Sequence, residues 1–398
     1  MLEMAGRMGV LGTETAFEVL ARANALAAEG RSIINLGIGQ PDFPTPEHIV
    51  EAGRKALADG HHGYTAANGI PPLREAVTAD LWRRHRVEVS PEQVLVVPGG
   101  KVTMFFAIMM FGEPGKEILY PNPGFPIYES VIKFSGATPV PVALHESAGF
   151  SFHADEVLDK ITPRTRLLIL NSPANPTGGV VPRAEFDRLV AGLERHPHVA
   201  VMSDEIYGEI LYDGAEHVSL LSYPALRERL ILLDGWSKTY AMTGWRLGYG
   251  VWPKEVFAAA ERLAINCHSC VNAATQYAGI AALEGPREPV RRMVEAFAER
   301  RTAIVAALNG LPGVRCQQPG GAFYTFPNIS GTGYDARRFQ SELLEKAGVA
   351  TIAGTSFGAF GEGFVRFSYA NSLANIMEAM ERIRTFLGNA PARQAAAS

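Results

Sequence analysis

Residues 234 to 250 read DGWSKTYAMTGWRLGYG and place a single lysine, Lys238, between a short apolar run and a cluster of Gly, Thr and Arg. The apolar run LILLDG ends three residues before this lysine, which indicates a buried strand that ends just ahead of it. A primary amine at that point could enter a ligand crevice and act as a nucleophile. The alternative is a solvated loop charge. The stretch therefore raises the hypothesis of covalent amine chemistry at Lys238.

The elements that must position this lysine are short apolar runs rich in Val, Ile and Leu that alternate with helical patterns. Their alternation predicts an α/β fold with a mostly parallel sheet covered by helices on both faces. In such sheets the ligand lies beyond the carboxyl ends of the strands, so the polar residues after each run are the candidates for chemistry. The predicted strands are VLVV (94–97), EILY (117–120), RLLIL (166–170), HVAVMSD (198–204) and LILLDG (230–235).

A second, smaller α+β domain is predicted after one long helix. The stretch 286–310 has prolines at its start, apolar residues near helical spacing and a closing glycine. Two strand candidates, AFYTF and FVRFSYA, and two helical segments follow it. The predicted division is an N-terminal segment 1–43 that joins the small domain, a large ligand-binding domain 44–285 and a small domain 286–398. The first twelve residues and the tail NAPARQAAAS are expected to be poorly ordered.

Composition bounds the function classes. The chain has 398 residues, 47% of them hydrophobic and 20% charged, with a net charge of -4. This balance predicts neither a nucleic-acid footprint nor a membrane-binding face, and the longest apolar run, VTMFFAIMMF, is too short to span a bilayer. Three cysteines fit a reducing, cytoplasmic setting. Cys267 and Cys270 form a C-x-x-C around His268, which is interpreted as buried or half-buried thiols rather than a redox or metal site.

Five stretches now offer chemistry in one order along the chain: VVPGGKVTMFF, YPNPGFPIY, NSPANPTGG, SDEIYGEI and DGWSKTYAMTGWRLGYG. Together they resemble the class I aminotransferases, the aspartate aminotransferase superfamily of pyridoxal-phosphate enzymes with fold type I. The resemblance runs from NLGIGQPDF at 35–43 to GEGFVRFSYA at 361–370. It implies pyridoxal 5'-phosphate as the cofactor and an exchange of amino groups between an amino acid and a 2-oxo acid.

The resemblance implies a role for four polar residues around the cofactor. Lys238 matches the lysine that bonds the cofactor's aldehyde and moves the proton during exchange. Asp204 matches the carboxylate that faces the ring nitrogen, although a strand-end Asp could also cap a helix. Tyr207 and Asn175 match the donors to the ring hydroxyl oxygen and could otherwise be turn residues.

Phosphate recognition is expected where VLVVPGGKVTMFF passes from strand through a glycine turn into a helix. The backbone N–H groups of Gly100 and Lys101 can point at an anion there, and the helix dipole favours its charge. By resemblance, Arg246 and Ser237 would also bind the phosphate. Gly235 stands where many relatives have a second serine, which removes one expected phosphate contact.

Two aromatic residues match positions that, in the family, contact the cofactor ring and the neighbouring subunit. Phe125, in PNPGFPIY, matches the aromatic that stacks on the pyridine ring, or it is a core residue. Tyr64 resembles the tyrosine that reaches the phosphate of the neighbouring subunit. The second match implies a homodimer with shared active sites.

The resemblance also implies which residues bind the substrate, among them an arginine, a glycine and a lysine. Arg366, in FVRFSYA, matches the family's arginine for the substrate α-carboxylate, with a surface arginine as the alternative. Gly39 matches a mobile glycine beside the same carboxylate, and Asn175 is expected to contact substrate as well. In one bacterial branch the lysine of a GGK turn reaches the distal carboxylate of an acidic substrate, and Lys101 matches it. Val102 departs from the glutamine usual there, so a solvent-facing Lys101 stays open.

The predicted function is that of a pyridoxal-phosphate aminotransferase that favours aspartate or glutamate, with 2-oxoglutarate as acceptor. The alternatives are an aminotransferase for aromatic or aliphatic amino acids, or a β-lyase or decarboxylase on the same fold. A regulator built on this fold would carry an extra DNA-binding domain, for which about 35 residues ahead of NLGIGQPDF leave no room.

Overall fold

The computed structural model describes residues 2–388. Its centre is a seven-stranded sheet, accompanied by a three-stranded and a two-stranded sheet. The strands in chain order are β1 (Ile34–Asn35), β2 (Val94–Val97), β3 (Glu117–Asn122), β4 (Thr138–Ala143), β5 (Thr165–Asn171), β6 (Ala200–Asp204), β7 (Leu230–Gly235), β8 (Gly248–Val251), β9 (Tyr324–Thr325), β10 (Val349–Ala350), β11 (Ile352–Ala353) and β12 (Val365–Ser368).

The large sheet is mostly parallel, as predicted. Its strand order is β2-β8-β7-β6-β5-β3-β4. The four neighbouring pairs from β7 across to β4 run parallel, and β8 alone runs antiparallel to both of its neighbours. The five predicted strands correspond to β2, β3, β5, β6 and β7. The mostly parallel α/β architecture predicted from the alternating runs is therefore confirmed.

Helices cover the sheet and build the C-terminal part. The α-helices are α1 (Thr15–Ala28), α2 (Glu47–Ala58), α3 (Pro71–His85), α4 (Lys101–Phe111), α5 (Ile127–Ser135), α6 (Ala154–Asp159), α7 (Arg183–Leu193), α8 (Lys254–His268), α9 (Ala273–Glu284), α10 (Glu288–Asn309), α11 (Ala336–Glu342) and α12 (Leu373–Gly388). The long predicted helix is α10. None of the helices in residues 2–388 is long and apolar enough to cross a membrane.

Side chains of successive strand residues enter two different cores, one on each face of the large sheet. In β2, Val94 and Val96 belong to one cluster, whereas Leu95 and Val97 belong to the other. All four of these side chains are fully buried. Because side chains alternate across a strand, a continuous apolar run is what a strand covered on both faces requires.

A third core lies around α10, α12 and the strands β9 and β12. It also takes in Ile34 and Leu36 from the N-terminal segment. This arrangement supports a division into a large unit and a smaller one that includes the N-terminal segment. We propose the boundaries 1–43, 44–285 and 286–398 for these parts.

Two expectations about local structure need correction. Residues Gly6–Val10 form a 3-10 turn beside α5, and the Gly12 N–H donates to the Ser130 hydroxyl at 2.8 Å. The N-terminal stretch is thus placed by contacts that its sequence does not reveal. Cys267 is exposed rather than buried, because it lies near the C-terminal end of α8, and Cys270 is half-buried. The tail NAPARQAAAS lies outside the described residues.

Candidate active site

Three neighbouring strands of the large sheet end in polar residues at one edge. Asn171 ends β5, Asp204 ends β6, and Lys238 follows three residues after the end of β7. The strand register pairs Asn171 with Asp204, and Asp204 with Leu233 of β7. The parallel sheet thus brings together groups that are far apart in sequence, at the edge where ligands bind in this class of fold.

A cavity of about 610 Å³ opens at this edge, a volume in the range typical of small-molecule sites. It is lined by every predicted site residue except Tyr64. Those residues are Gly39, Gly100, Lys101, Phe125, Asn175, Asp204, Tyr207, Ser237, Lys238, Arg246 and Arg366. The Tyr64 side chain is 93% exposed and does not line this cavity. Its predicted contact with a neighbouring subunit stays a prediction.

Lys238 enters the cavity as an amine whose charge is disfavoured. Its Nζ donates to the Gly39 carbonyl oxygen at 2.7 Å and lies 5.9 Å from the ring centres of Tyr207 and Phe323. Burial lowers the pKa of Lys238 to about 8, and the nearby positive charge of Arg366 acts in the same direction. About a tenth of the amine is therefore unprotonated at pH 7, and this is the form that a nucleophile or a general base requires.

Asp204 is a buried carboxyl group held in one orientation. One carboxylate oxygen accepts a hydrogen bond from the Tyr128 hydroxyl at 2.6 Å, and the other accepts one from the Ile206 N–H at 3.3 Å. Burial raises the pKa of Asp204 to about 6, even though both hydrogen bonds favour the charged form. None of the ion pairs found in residues 2–388 involves this group. A cationic ring nitrogen on a bound ligand would supply the missing charge.

Arg366 is a buried guanidinium without an acidic partner within the described range 2–388. Its Nη1 donates to the Asn175 side-chain oxygen at 2.8 Å, and Nη2 donates to the Gly37 carbonyl oxygen at 2.6 Å. Its Nε is buried and has no hydrogen-bond partner. Burial lowers the pKa of Arg366 from its usual value. An unpaired buried charge is costly, so the geometry calls for an anionic ligand such as a carboxylate.

The start of α4 and Arg246 form a second cationic region of the cavity. Gly99 has a φ of 92°, which an L side chain rarely adopts, and an added Cβ would collide with the Arg246 guanidinium. Arg246 donates to the carbonyl oxygens of Thr243 at 2.9 Å and Pro98 at 3.3 Å. The first N–H groups of a helix have no partner within the helix. Together these groups can bind a phosphate.

Gly235 does more than omit a serine from this region. It is the last residue of β7, and an added Cβ there would lie 2.8 Å from the Gly248 Cα and 3.1 Å from the Leu247 carbonyl oxygen. The close approach of β7 and β8 thus requires a residue without a side chain. Ser237, two residues on, is buried and lines the cavity.

Gly39 and Tyr324 meet above the lysine. A Cβ at Gly39 would collide with the Tyr324 hydroxyl, so the position requires glycine in this arrangement. The Tyr324 and Tyr207 hydroxyls lie 2.8 Å apart and share a hydrogen bond. Burial raises the pKa of Tyr207, which keeps its hydroxyl protonated and able to donate.

Lys101 forms an ion pair with Glu14 at the wall of the cavity. The lysine side chain is 45% exposed and that of Glu14 is 17% exposed. The Lys101 Nζ also lies 5.3 Å from the centre of the Phe125 ring. Lys101 thus lines the cavity and is also exposed to solvent, and the Glu14 carboxylate compensates its unfavourable position at a helix start.

Four residues of the site were not predicted from the sequence. Tyr128 holds Asp204, Asn171 donates to the Asp204 carbonyl oxygen at 3.0 Å, Tyr324 bonds Tyr207, and Glu14 pairs with Lys101. Tyr128 and Asn171 lie within motifs that were already singled out, so their polarity beside those turns was an available signal. Nothing in the local sequence marks Glu14, which reaches the cavity from just ahead of α1.

Comparison with known proteins decides the family. A family model described as "Aminotransferase class I and II" matches residues 31–383. The chain belongs to the class I and II aminotransferases. It is 37% identical over 390 residues to an aspartate aminotransferase of Rhizobium meliloti, with 95% of each chain covered. It superposes on the crystal structure of the Rhizobium meliloti aspartate aminotransferase with a TM-score of 0.93, covering 98% of this chain and 99% of that one. It superposes on an alanine aminotransferase from Pyrococcus furiosus with a TM-score of 0.90 at 33% identity, covering 97% and 100%.

Membership in this family makes the protein a transaminase that depends on pyridoxal 5'-phosphate, as the resemblance implied. The donor set of the cavity fits that cofactor. An amine of lowered pKa can bond its aldehyde, a buried carboxyl group without a cation can face its ring nitrogen, and a helix start with an arginine can hold its phosphate. When bound, the cofactor supplies an electron sink for the substrate's α-carbon.

Proposed function

We propose that this transaminase exchanges the amino group of aspartate or glutamate with a 2-oxo acid such as 2-oxoglutarate. The observation that supports this choice is that two further cations besides Arg246, Arg366 and Lys101, line the cavity of Lys238. The planar guanidinium of Arg366 can bind one carboxylate with two donors. Lys101 already forms an ion pair with a carboxylate, that of Glu14. An acidic amino acid has two carboxylates, one for Arg366 and one for Lys101.

In this proposal Lys238 performs the proton transfer. Its free amine, with a pKa of about 8, would accept the proton that leaves the substrate α-carbon and would hold it for return during the exchange. Asp204 would face the ring nitrogen of the bound cofactor and stabilise positive charge there, with Tyr128 fixing the orientation of the carboxylate. Tyr207 and Asn175 would donate to the ring oxygen. Preorganised charge of this kind is commonly the largest part of an enzyme's rate enhancement.

The phosphate of the cofactor is assigned to the start of α4 and to two side chains. The N–H groups of Gly100 and Lys101 lie in the first turn, Ser237 supplies a hydroxyl, and Arg246 supplies a guanidinium. Phe125 borders the same cavity and offers a flat face to the ring. Phe125 makes an edge contact with Tyr128, with 5.8 Å between the ring centres, so the two rings hold each other in place.

Arg366 is assigned to the substrate α-carboxylate, and Asn175 keeps the guanidinium in position. The segment around Gly39 borders the same end, because the Gly37 carbonyl oxygen also accepts from Arg366. Closure of this segment over a bound substrate would exclude water from the reacting atoms.

Lys101 is assigned to the distal carboxylate, after it releases Glu14. The pair is partly exposed, and such pairs contribute only about 0.2–1 kcal/mol, so a substrate carboxylate can compete with it. The relatives named aspartate aminotransferases support an acidic substrate.

One observation favours a second candidate, an aminotransferase for neutral amino acids. With Glu14 in place, the charge of Lys101 is already compensated and a neutral side chain could occupy this end of the cavity. The relative named an alanine aminotransferase is consistent with this alternative.

The experiment that separates the two candidates compares Lys101→Ser with wild type, for aspartate and for alanine as donors. The acidic proposal predicts that kcat/KM for aspartate falls by about 10- to 100-fold, the range for a hydrogen bond between charged groups, while alanine is nearly unaffected. Lys133→Ser is the matched control, because Lys133 pairs with Glu129 at a similar exposure and does not line the cavity. Equal losses for both donors would contradict the acidic assignment.

We further propose a cytoplasmic homodimer in which Tyr64 reaches the neighbouring active site. The 93% exposure of its ring in the single chain leaves it available for such a contact. The three free cysteines are compatible with a reducing compartment. Sedimentation of the wild type and the cofactor affinity of Tyr64→Phe test the dimer and the shared site separately.

A further inference from the structure

A turn outside the active site brings two histidines and a glutamate together. The turn spans residues 145–151, between β4 and α6. The His145 N–H donates to the Ser151 carbonyl oxygen at 3.0 Å, and the Phe150 N–H donates to the His145 carbonyl oxygen at 2.8 Å. These bonds close the turn and bring His145 back beside His153, the residue that directly precedes α6.

The three side chains present their ligand atoms to one point. The His145 Nε2 lies 2.7 Å from a carboxylate oxygen of Glu156, and the rings of His145 and His153 stack with 4.9 Å between their centres. One ligand atom from each residue lies within 4.8 Å of the other two. His153 and Glu156 share a face because they are three residues apart at the start of a helix. His145 is 32% exposed and Glu156 is 47% exposed, so an ion can reach the cluster from solvent.

We propose that His145, His153 and Glu156 form a binding site for one divalent transition-metal ion of the zinc class, with water completing its coordination. Two imidazoles and a carboxylate are the ligand set that zinc accepts at about 2.0–2.2 Å, whereas Mg²⁺ and Ca²⁺ prefer oxygen ligands alone. Tetrahedral bonds of that length place ligand atoms about 3.3 Å apart. The ligand atoms, which lie within 4.8 Å of one another, must therefore adjust when an ion binds.

None of the three residues lines the cavity of Lys238, so the site is separate from the transaminase chemistry.

The turn that would hold the ion also contacts the C-terminal part of the chain. The neighbouring Glu146 accepts hydrogen bonds from Arg315, at 3.1 and 2.9 Å, and from the Asn328 side chain at 3.1 Å. Phe150, in the same turn, is buried against Phe326 of the C-terminal part, with ring centres 5.7 Å apart. An ion at the base of the turn would therefore fix the contact between the large unit and the C-terminal part.

The experiment titrates tag-free holoenzyme, stripped of metal by a chelator, with zinc chloride. The protein carries Cys267→Ser and Cys270→Ser, so that no solvent-accessible thiol at these positions can bind added zinc. Calorimetry is expected to show one zinc ion per chain at neutral pH. The melting temperature is expected to rise with zinc and to stay constant with magnesium.

His153→Ala and Glu156→Gln are the test variants. The His153 side chain makes no cap hydrogen bond to α6, and glutamine keeps the shape of Glu156, so neither change is expected to unfold the chain. Each should weaken zinc binding by at least about tenfold and abolish the zinc-dependent rise in melting temperature. His198→Ala, which removes a histidine from another surface, should bind zinc as the wild type does.

Two results would overturn the proposal. One is equal zinc affinity in the parent protein and in both His153→Ala and Glu156→Gln. The other is the absence of zinc binding once Cys267 and Cys270 are replaced. Wild-type transaminase activity in the metal-free enzyme is expected, because the ion has no place in the cavity.

Discussion

The Arg366 Nη1 donates to the Asn175 side-chain oxygen at 2.8 Å, across 191 residues of sequence. One partner lies on a short strand of the C-terminal part and the other in a turn of the large unit. This bond therefore orients the anion-binding guanidinium from the far side of the cavity. It also makes the position of Arg366 depend on how the two parts of the chain meet.

Arg366→Lys is expected to raise KM for every amino donor by about 10- to 100-fold, because a point charge replaces a fork that binds a carboxylate with two donors. The change in kcat should be smaller, since the cofactor residues are untouched. Steady-state kinetics with aspartate, glutamate and alanine measure this. Unchanged KM for all three donors would show that Arg366 does not hold the α-carboxylate.

Asp204→Asn is expected to lower activity and to stabilise the cofactor-free protein at neutral pH. Burial raises the pKa of Asp204 from 3.8 to about 6 in the folded chain. Its charged form is therefore disfavoured on folding, and its contribution to stability is lost as pH rises from about 4 to about 6. At 1.36 kcal/mol per pKa unit the cost at neutral pH is about 3 kcal/mol.

Thermal unfolding of the cofactor-free proteins measures this gain. The melting temperature of Asp204→Asn should exceed that of wild type at pH 7, and the difference should shrink towards pH 4. If Asp204→Asn were less stable than wild type at pH 7 and equally active, both the raised pKa of Asp204 and its role in catalysis would be contradicted.

Binding of the cofactor to the free enzyme should speed up with rising pH. Burial holds the pKa of Lys238 at about 8, and only the unprotonated amine attacks the aldehyde. The unprotonated fraction therefore rises about tenfold between about pH 7 and about pH 9. Stopped-flow absorbance follows the reaction, with Lys238→Ala as the control that forms no covalent bond. A rate that falls over this interval would show that another group controls the step.

Glu14→Gln should improve acidic donors selectively. Removal of this carboxylate frees Lys101 at the wall of the cavity. Because the pair is partly exposed, the expected gain in kcat/KM for aspartate is about two- to fivefold, with little change for alanine. A loss of aspartate activity in this variant would mean that Glu14 positions Lys101 rather than competing with the substrate.

The large sheet could be predicted from sequence because its central strands are buried on both faces. A strand covered on both faces reads as a continuous apolar run such as the one ending at Asp204. Strands β4 and β8 were missed for the opposite reason. The first reads TPVPVA, where two prolines on a strand at the sheet edge disrupt the pattern, and the second reads GYGV, where glycines permit close approach to neighbouring backbone.

The candidate site was predicted from motifs at strand ends, and its gaps have a physical cause. Tyr324 and Glu14 act through contacts between segments far apart in sequence, and no local pattern records such contacts. Glu14 is the clearest case, since its pairing with Lys101 spans 87 residues. The reactive residues at the strand ends lie in short motifs that the sequence shows directly. The residues that orient them come from distant segments and are brought near only by the fold.

The central claim, transfer of an amino group from an acidic donor by Lys238, is tested most directly by isotope transfer. The purified enzyme is incubated with cofactor, aspartate labelled at its amino nitrogen and unlabelled 2-oxoglutarate, and the products are identified by mass spectrometry. The account predicts that the label appears in glutamate, in an amount equal to the oxaloacetate formed, and that Lys238→Ala transfers none. Label in free ammonia, or transfer at the wild-type rate by Lys238→Ala, would contradict it.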